Sequence, residues 1–285
     1  MKAFWNKINR FISRKLMVFV EKSLKEKTDD SIYFEPDKKY VNIGSGKTYH
    51  DRWINLDYSS DWYNDLPKNF VEYDLTSNAK WPFKQGSIDA FYTSHVIEHL
   101  EETHVLRLFE NVYRSLSVGG RFRITCPDAS ALYDACQRND RSFFADQVLY
   151  YSKEENFKHQ YNSSLEHASI LDLLVDVVAT QRCRLRLDPK YSLSQSELEA
   201  KFKELSKYEF LDWLTGGIKF EGSRAGEHIC WWDFDKISRY LSKAGFQNIY
   251  QSAYLQSLEG AMRVPKYFDS RHPHKSVYIE CQKLN

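Results

Sequence analysis

Apolar positions in this chain come first as short runs and then as helical arcs. Tyr40-Val41-Asn42-Ile43 runs into Gly44-Ser45-Gly46, and Trp53-Ile54-Asn55-Leu56 runs into Asp57, which reads as strand, glycine turn, short helix, strand and acidic cap. Residues 70–75 predict a third strand ending in polar groups at Asp74, and residues 87–95 a fourth ending at Ser94 and His95. A helix is expected from about residue 98 to 116, stopped by Gly119-Gly120, with residues 121–126 as a fifth strand ending at Pro127-Asp128. Strands alternating with connecting segments in this way predict an α/β fold built on a mostly parallel sheet.

The second half is patterned differently. Residues 129–225 are too many for a loop and carry helical periodicity of their own, so they read as a mainly helical insertion acting as a substrate lid. Residues 170–178 are apolar on most sides and predict a buried helix. Ser194-x-x-Glu197 has the form of a capping box opening a helix towards Leu214, which Gly216-Gly217 would end. The core is then residues 31–128 with 226–285, and residues 1–30 stand apart. There Phe4, Trp5, Ile8, Phe11, Ile12, Leu16 and Phe19 alternate with Lys2, Lys7, Arg10 and Arg14 as a basic amphipathic helix. Its charges interrupt every apolar run, so it is neither a signal peptide nor a membrane span. It suits packing on its own domain, a partner, or an anionic membrane surface.

The chemistry starts at the glycine turn. Gly44 and Gly46 allow a ligand close to the backbone, and Asp57 at the tip of the next strand can accept hydrogen bonds from both hydroxyls of a ribose. A phosphate-binding P-loop would need a glycine where Val41 stands, so Gly46-Lys47-Thr48 lacks its loop. A dinucleotide fold would want a small residue at Tyr49, and Asp57 follows Gly44 by 13 positions, short of the usual offset of about 20. One adenosine without a pyrophosphate fits better. In open parallel sheets ligands lie beyond the carboxyl ends of the strands, so Gly44, Asp57, Asp74 and Ser94 should converge on one crevice.

With these segments the chain resembles the class I S-adenosylmethionine-dependent methyltransferases, particularly a branch frequent in bacterial surface-polysaccharide gene clusters. The segments are VNIGSGKTYHDRWINLD, YDLTSNAKWPF, IDAFYTSHVIEHL, SVGGRFRITCPD, WWDFDKISRYLSKAGFQNI and SVYIEC. The resemblance implies a Rossmann-like, mostly parallel seven-stranded sheet with an antiparallel last strand. It implies S-adenosylmethionine as cofactor, with Asn42, Gly44, Ser45 and Gly46 in the cofactor turn and Asp57 and Tyr58 at the ribose. Asp74 and Leu75 would lie at the adenine, and Ser94, His95 and His99 beneath the methionine part. Many members carry an acidic residue where this chain has Asn42.

His95-Val96-Ile97-Glu98-His99 also matches the H-x-x-E-H signature of inverted zinc peptidases. Zinc in that manner needs both histidines on one helix face, whereas His95 falls at a strand end, and no metal is expected. Net charge of +1 without a basic stripe beyond the N-terminal segment disfavours a nucleic-acid partner. The five cysteines lack metal or redox spacing and read as packing residues of a cytoplasmic protein, one that could lie at the inner face of the membrane through its N-terminal helix.

Methyl transfer from a sulfonium is an in-line displacement, so positioning and exclusion of water carry much of the catalysis. For a hydroxyl acceptor a general base helps, and His228, Asp128 and His167 are the candidates. The expected acceptor is a sugar or glycan precursor, for which the aromatic-rich insertion offers stacking faces. A small non-carbohydrate metabolite, or a binding module without turnover in a polysaccharide assembly complex, are the alternatives.

Overall fold

The structure, a computed structural model, describes residues 30–59 and 65–285. The basic helix expected over residues 1–30 therefore lies outside the described residues, Asp30 apart. Seven strands, β1 (Tyr40–Ile43), β2 (Ile54–Asp57), β3 (Phe70–Glu72), β4 (Ile88–Ser94), β5 (Leu116–Pro127), β6 (Gln247–Gln251) and β7 (Ser276–Gln282), form one sheet. Their order is β3-β2-β1-β4-β5-β7-β6. β1 to β5 run parallel, and β7 is antiparallel to both neighbours, as the resemblance implies. β1 is buried along its whole length and β4 nearly so, as unbroken apolar runs in a two-sided parallel sheet must be.

Several boundaries differ from the sequence reading, each for a local reason. No helix forms between Gly46 and Trp53. Side chains organise that loop instead, with Asn42 Nδ2 donating to the Thr48 carbonyl at 2.9 Å and the Arg52 amide to His50 Nδ1 at 3.0 Å. The third strand stops at Glu72 because Asp74 Oδ1 accepts from the Thr76 amide at 2.8 Å and turns the chain away. Residues 97–99 make a 3-10 turn, and α1 (Glu102–Ser115) begins only after an extended Glu101. Gly119-Gly120 does not stop this helix. β5 already starts at Leu116 and carries the glycine pair inside it, with Gly119 at φ +84° where the register against β4 shifts.

The insertion folds as α2 (Ala129–Gln137), α3 (Ala145–Tyr150), α4 (Glu154–Phe157), α5 (Ile170–Val178), α6 (Gln195–Glu204) and α7 (Lys207–Thr215). α5 occupies the predicted residues, opened by a capping box in which Ser169 and Asp172 bond each other's amides at 3.1 Å. The helix expected from Ser194 to Leu214 is two helices. Leu205 is extended, and a second capping box, Ser206 with Glu209, starts α7. After the insertion, α8 (Phe234–Lys243) is capped by Asp233. One apolar cluster joins Val41, Phe91 and Phe122 of the sheet to Leu132, Phe144, Leu174 and Phe210 of the insertion, so the insertion shares the core of the sheet. No helix of the described residues is long and apolar enough to cross a membrane.

A buried ion pair ties the last loop to the sheet. Arg123 on β5 is fully buried and grips Asp269 through Nε at 3.2 Å and Nη2 at 2.5 Å, and it also donates to the Ala253 carbonyl at 2.8 Å. Tyr92 on β4 accepts from the Asp269 amide at 2.8 Å. Removing one partner leaves the other charge buried and unpaired, so Arg123→Met should cost about 3–5 kcal/mol of stability in urea unfolding. A loss below about 1 kcal/mol would contradict that role.

All five cysteines are buried, and burial pushes the thiols of Cys136, Cys183 and Cys230 up to about 12. Native protein at pH 8 should accordingly leave a chromogenic disulfide reagent unreacted over minutes, with all five thiols reacting after denaturation.

Candidate cofactor and acceptor site

Three hollows adjoin at the carboxyl ends of β1, β2 and β4. The largest, about 700 Å³, runs past Gly44, Asp57, Tyr58, Asp74, Leu75 and Val96. A small one of about 140 Å³ is lined by Asn42, Gly44, Ser45, Gly46, Ser94 and Arg271, among others. The third, about 490 Å³, lies under the insertion and is faced by Tyr150, Tyr151, Tyr161, Arg186, His228 and Lys275, among others. His95 borders all three, and His99 and Gly226 border both large ones.

The glycine turn is fixed by close approach. Gly44 sits at φ +63°, and a Cβ there would overlap Val96 Cγ2. Its amide donates to the Leu56 carbonyl at 2.8 Å, joining the turn to β2. The Asp57 carboxylate accepts from the Gly46 amide at 2.7 Å and from the Tyr58 amide at 2.7 Å. These two bonds orient the carboxylate on the crevice wall, and a carboxylate has about four acceptor sites. Half-exposed Tyr58 stands beside it. At the far end Asp74 accepts from both the amide and the hydroxyl of Thr76. The eleven residues expected to hold the cofactor all line these hollows.

Of the three expected bases the structure brings only His228 to a crevice. Asp128 serves as N-cap of α2, accepting from the Ala131 amide at 3.1 Å, and it lines none of the hollows. Burial raises its carboxyl. His167 is exposed in a 3-10 turn and also lines none. His228 packs edge-on against His99 with ring centroids 4.7 Å apart, and its Nδ1 is hydrogen-bonded to the Val177 carbonyl. Burial, with His99 adding to it, lowers the His228 pKa to about 3, so the ring is neutral at physiological pH.

Several charged residues at or behind the walls escaped the sequence reading. Glu98 is 2% exposed and lies 3.1 Å from His95 Nδ1 and 3.9 Å from His228 Nε2. Burial alone would raise its carboxyl, but the surrounding imidazoles outweigh this and hold it near 2. Asp176 accepts from Tyr161 at 2.8 Å and Arg186 at 2.6 Å. Asp146 pairs with Lys275 at 2.5 Å; burial pushes its carboxyl up, while His272 and Lys275 hold it well below the usual carboxylate range. Asp172 and Asp176 in an apolar helix, followed by alternate arginines at Arg184 and Arg186, were a readable sign of buried pairing.

A family model described as a methyltransferase domain matches residues 44–124. Over that segment the chain is similar to methyltransferases. No curated protein matches the chain. Among solved structures, an S-adenosylmethionine-dependent methyltransferase from Mesorhizobium loti is 14% identical, covering 90% of this chain and 97% of its own at a TM-score of 0.39. One from Archaeoglobus fulgidus is 13% identical, covering 93% of each at 0.41. Human N-acetylserotonin methyltransferase, in complex with S-adenosylmethionine, is 11% identical at 0.39, and this chain, 93% covered, matches 51% of its length.

Gly44→Ala tests the turn. Forcing a Cβ into Val96 at positive φ should destabilise the protein by about 1–3 kcal/mol and abolish binding of S-adenosylmethionine in calorimetric titration. Unchanged affinity would mean the ligand does not use this turn.

Proposed function

We infer that the protein is an S-adenosylmethionine-dependent methyltransferase that O-methylates a sugar or glycan precursor. The observation that carries this reading is the adjacency of the two large crevices across His95 and His99. One is furnished for an adenosine, the other with aromatic faces and hydrogen-bonding groups for a polar acceptor. In the first, Asp57 would accept the ribose hydroxyls, Tyr58 and Leu75 would flank the adenine with Asp74, and the turn of Asn42 to Gly46 with Ser94 would meet the methionine part. In the second, Tyr150 and Tyr151 suit stacking on a sugar ring, and Arg271 suits a phosphate of an activated sugar.

The chemistry asks little more of the protein than alignment. The acceptor oxygen attacks the methyl carbon as the carbon–sulfur bond breaks, giving the ether and S-adenosylhomocysteine, and the hydroxyl proton passes to water at the crevice mouth. The neutral His228 ring, with its pKa near 3, suits orienting the acceptor oxygen by a hydrogen bond and not holding its proton.

Asp57→Ala should weaken S-adenosylmethionine binding about 10- to 100-fold, the worth of one to two charge-assisted hydrogen bonds, as read by calorimetry. Transfer of labelled methyl groups to a panel of nucleotide sugars and hydroxylated metabolites tests the acceptor. Incorporation into the sugar panel that Asp57→Ala abolishes is the expected result. Incorporation only into metabolites would overturn the sugar assignment, and cofactor binding without any transfer would favour a binding module.

A further inference from the structure

We propose that Glu98, His99 and His228 form a binding site for one first-row divalent transition-metal ion at the junction of the two large crevices. Their ligand atoms lie within 4.8 Å of one another although His228 comes from the far side of the insertion. The ring orientations are fixed by backbone carbonyls. His99 Nδ1 lies 3.0 Å from the Glu227 carbonyl, and His228 Nδ1 bonds the Val177 carbonyl. A carbonyl only accepts, so each Nδ1 carries the hydrogen and each Nε2 presents a lone pair, the tautomer and the outer-shell contact that metal-binding histidines usually have.

Glu98 supplies the independent observation. Its side chain is 2% exposed; Oε1 has His95 Nδ1 at 3.1 Å, and Oε2 has no hydrogen-bond partner. A carboxylate this deeply buried with one oxygen lacking a partner is under-satisfied, and such groups are normally paired or bound to a cation. A proton can bridge two of the three ligands, whereas a divalent ion satisfies all of them. Two nitrogen donors and one carboxylate suit zinc, iron, cobalt, nickel or manganese better than magnesium or calcium. The remaining coordination positions would face the crevices that His99 and His228 line. In the methyl-transfer reading, on which only this role rests, the ion would lower the pKa of the acceptor hydroxyl as a Lewis acid.

The test needs neither cofactor nor acceptor. Untagged full-length protein, stripped with a chelator and dialysed, is titrated with Zn²⁺ and with Co²⁺, and bound metal is counted by mass spectrometry while cobalt absorption is followed in the visible. We expect one equivalent per chain and a cobalt spectrum, with affinity falling at least 100-fold in Glu98→Gln and His228→Gln and unchanged in His167→Ala. Circular dichroism identifies any variant that fails to fold, and the wild-type titration stands without the variants. Less than about a tenth of an equivalent on folded wild type, or binding that survives both ligand substitutions, would overturn the proposal. Stoichiometric metal with no methyl transfer would leave the site standing and remove its assigned role.

Discussion

The site depends on a clasp between two segments remote in sequence. The Glu98 carbonyl accepts from the amides of Ile229 at 2.9 Å and Cys230 at 3.2 Å, and the buried Trp232 indole donates to the Ile97 carbonyl at 3.0 Å. His99 adds its contact with the Glu227 carbonyl. Residues 97–99, the 3-10 turn after β4, thus serve as the docking edge for the chain leaving the insertion. A net hydrogen bond is worth about 1 kcal/mol, so the bonds alone would not hold a loop closure of this length. Burial of Ile97, Ile229, Trp231 and Trp232 around them supplies the rest. Because the clasp closes there, the wall of the crevice under the insertion forms beside the crevice at the glycine turn.

Around the clasp, backbone conformations of low intrinsic stability are gathered and held. Gly44 and Gly46 in the turn and His95 after β4 all have positive φ, at 63°, 51° and 54°. For His95 that conformation costs energy, offset by the contact of its Nε2 with Ser276 on β7 and by Glu98. A residue bordering all three hollows is therefore fixed from both sides. On the opposite side the Arg123–Asp269 pair carries Tyr267, Ser270 and Arg271 to the small hollow. The rim of the site hangs on a buried charge pair in the sheet and not on the loop's own structure.

The sheet and the crevice at the glycine turn were legible in the sequence because their signals are local. Glycine turns, an acid at a strand end and unbroken apolar runs are each set within a few residues, and alternation of strands with helices orders them. The crevice under the insertion was not, because its residues owe their positions to contacts across the insertion. Asp128 looked like a lip residue from its place after β5, but a residue just before a helix is offered two uncovered amides, and capping won. His167 had only its position in the insertion to recommend it. The break between α6 and α7 was written in Ser206 and Glu209 and was missed because the first capping signal seemed to account for the whole apolar arc. Glu98 was weighed only within its five-residue motif, when its partners His228, Ile229 and Cys230 arrive from 130 to 132 residues further on.

That last case shows what a spacing motif can and cannot say. H-x-x-E-H encodes geometry only if the five residues are helical, and here Val96 and Leu100 are extended or irregular, with His95 left-handed. The two histidines of the motif therefore part company. His95 turns to β7 through Ser276, while His99 turns to the insertion through Glu227. The carboxylate between them stays buried because both neighbours hold the turn in place. Replacing the helix by a strand end and a 3-10 turn dissolves the peptidase-like arrangement and creates a different one, open to a histidine from outside the motif. The three groups then share one neighbourhood: a buried acid kept ionised and two partly buried imidazoles with Nδ1 occupied, their ligand atoms within 4.8 Å of one another.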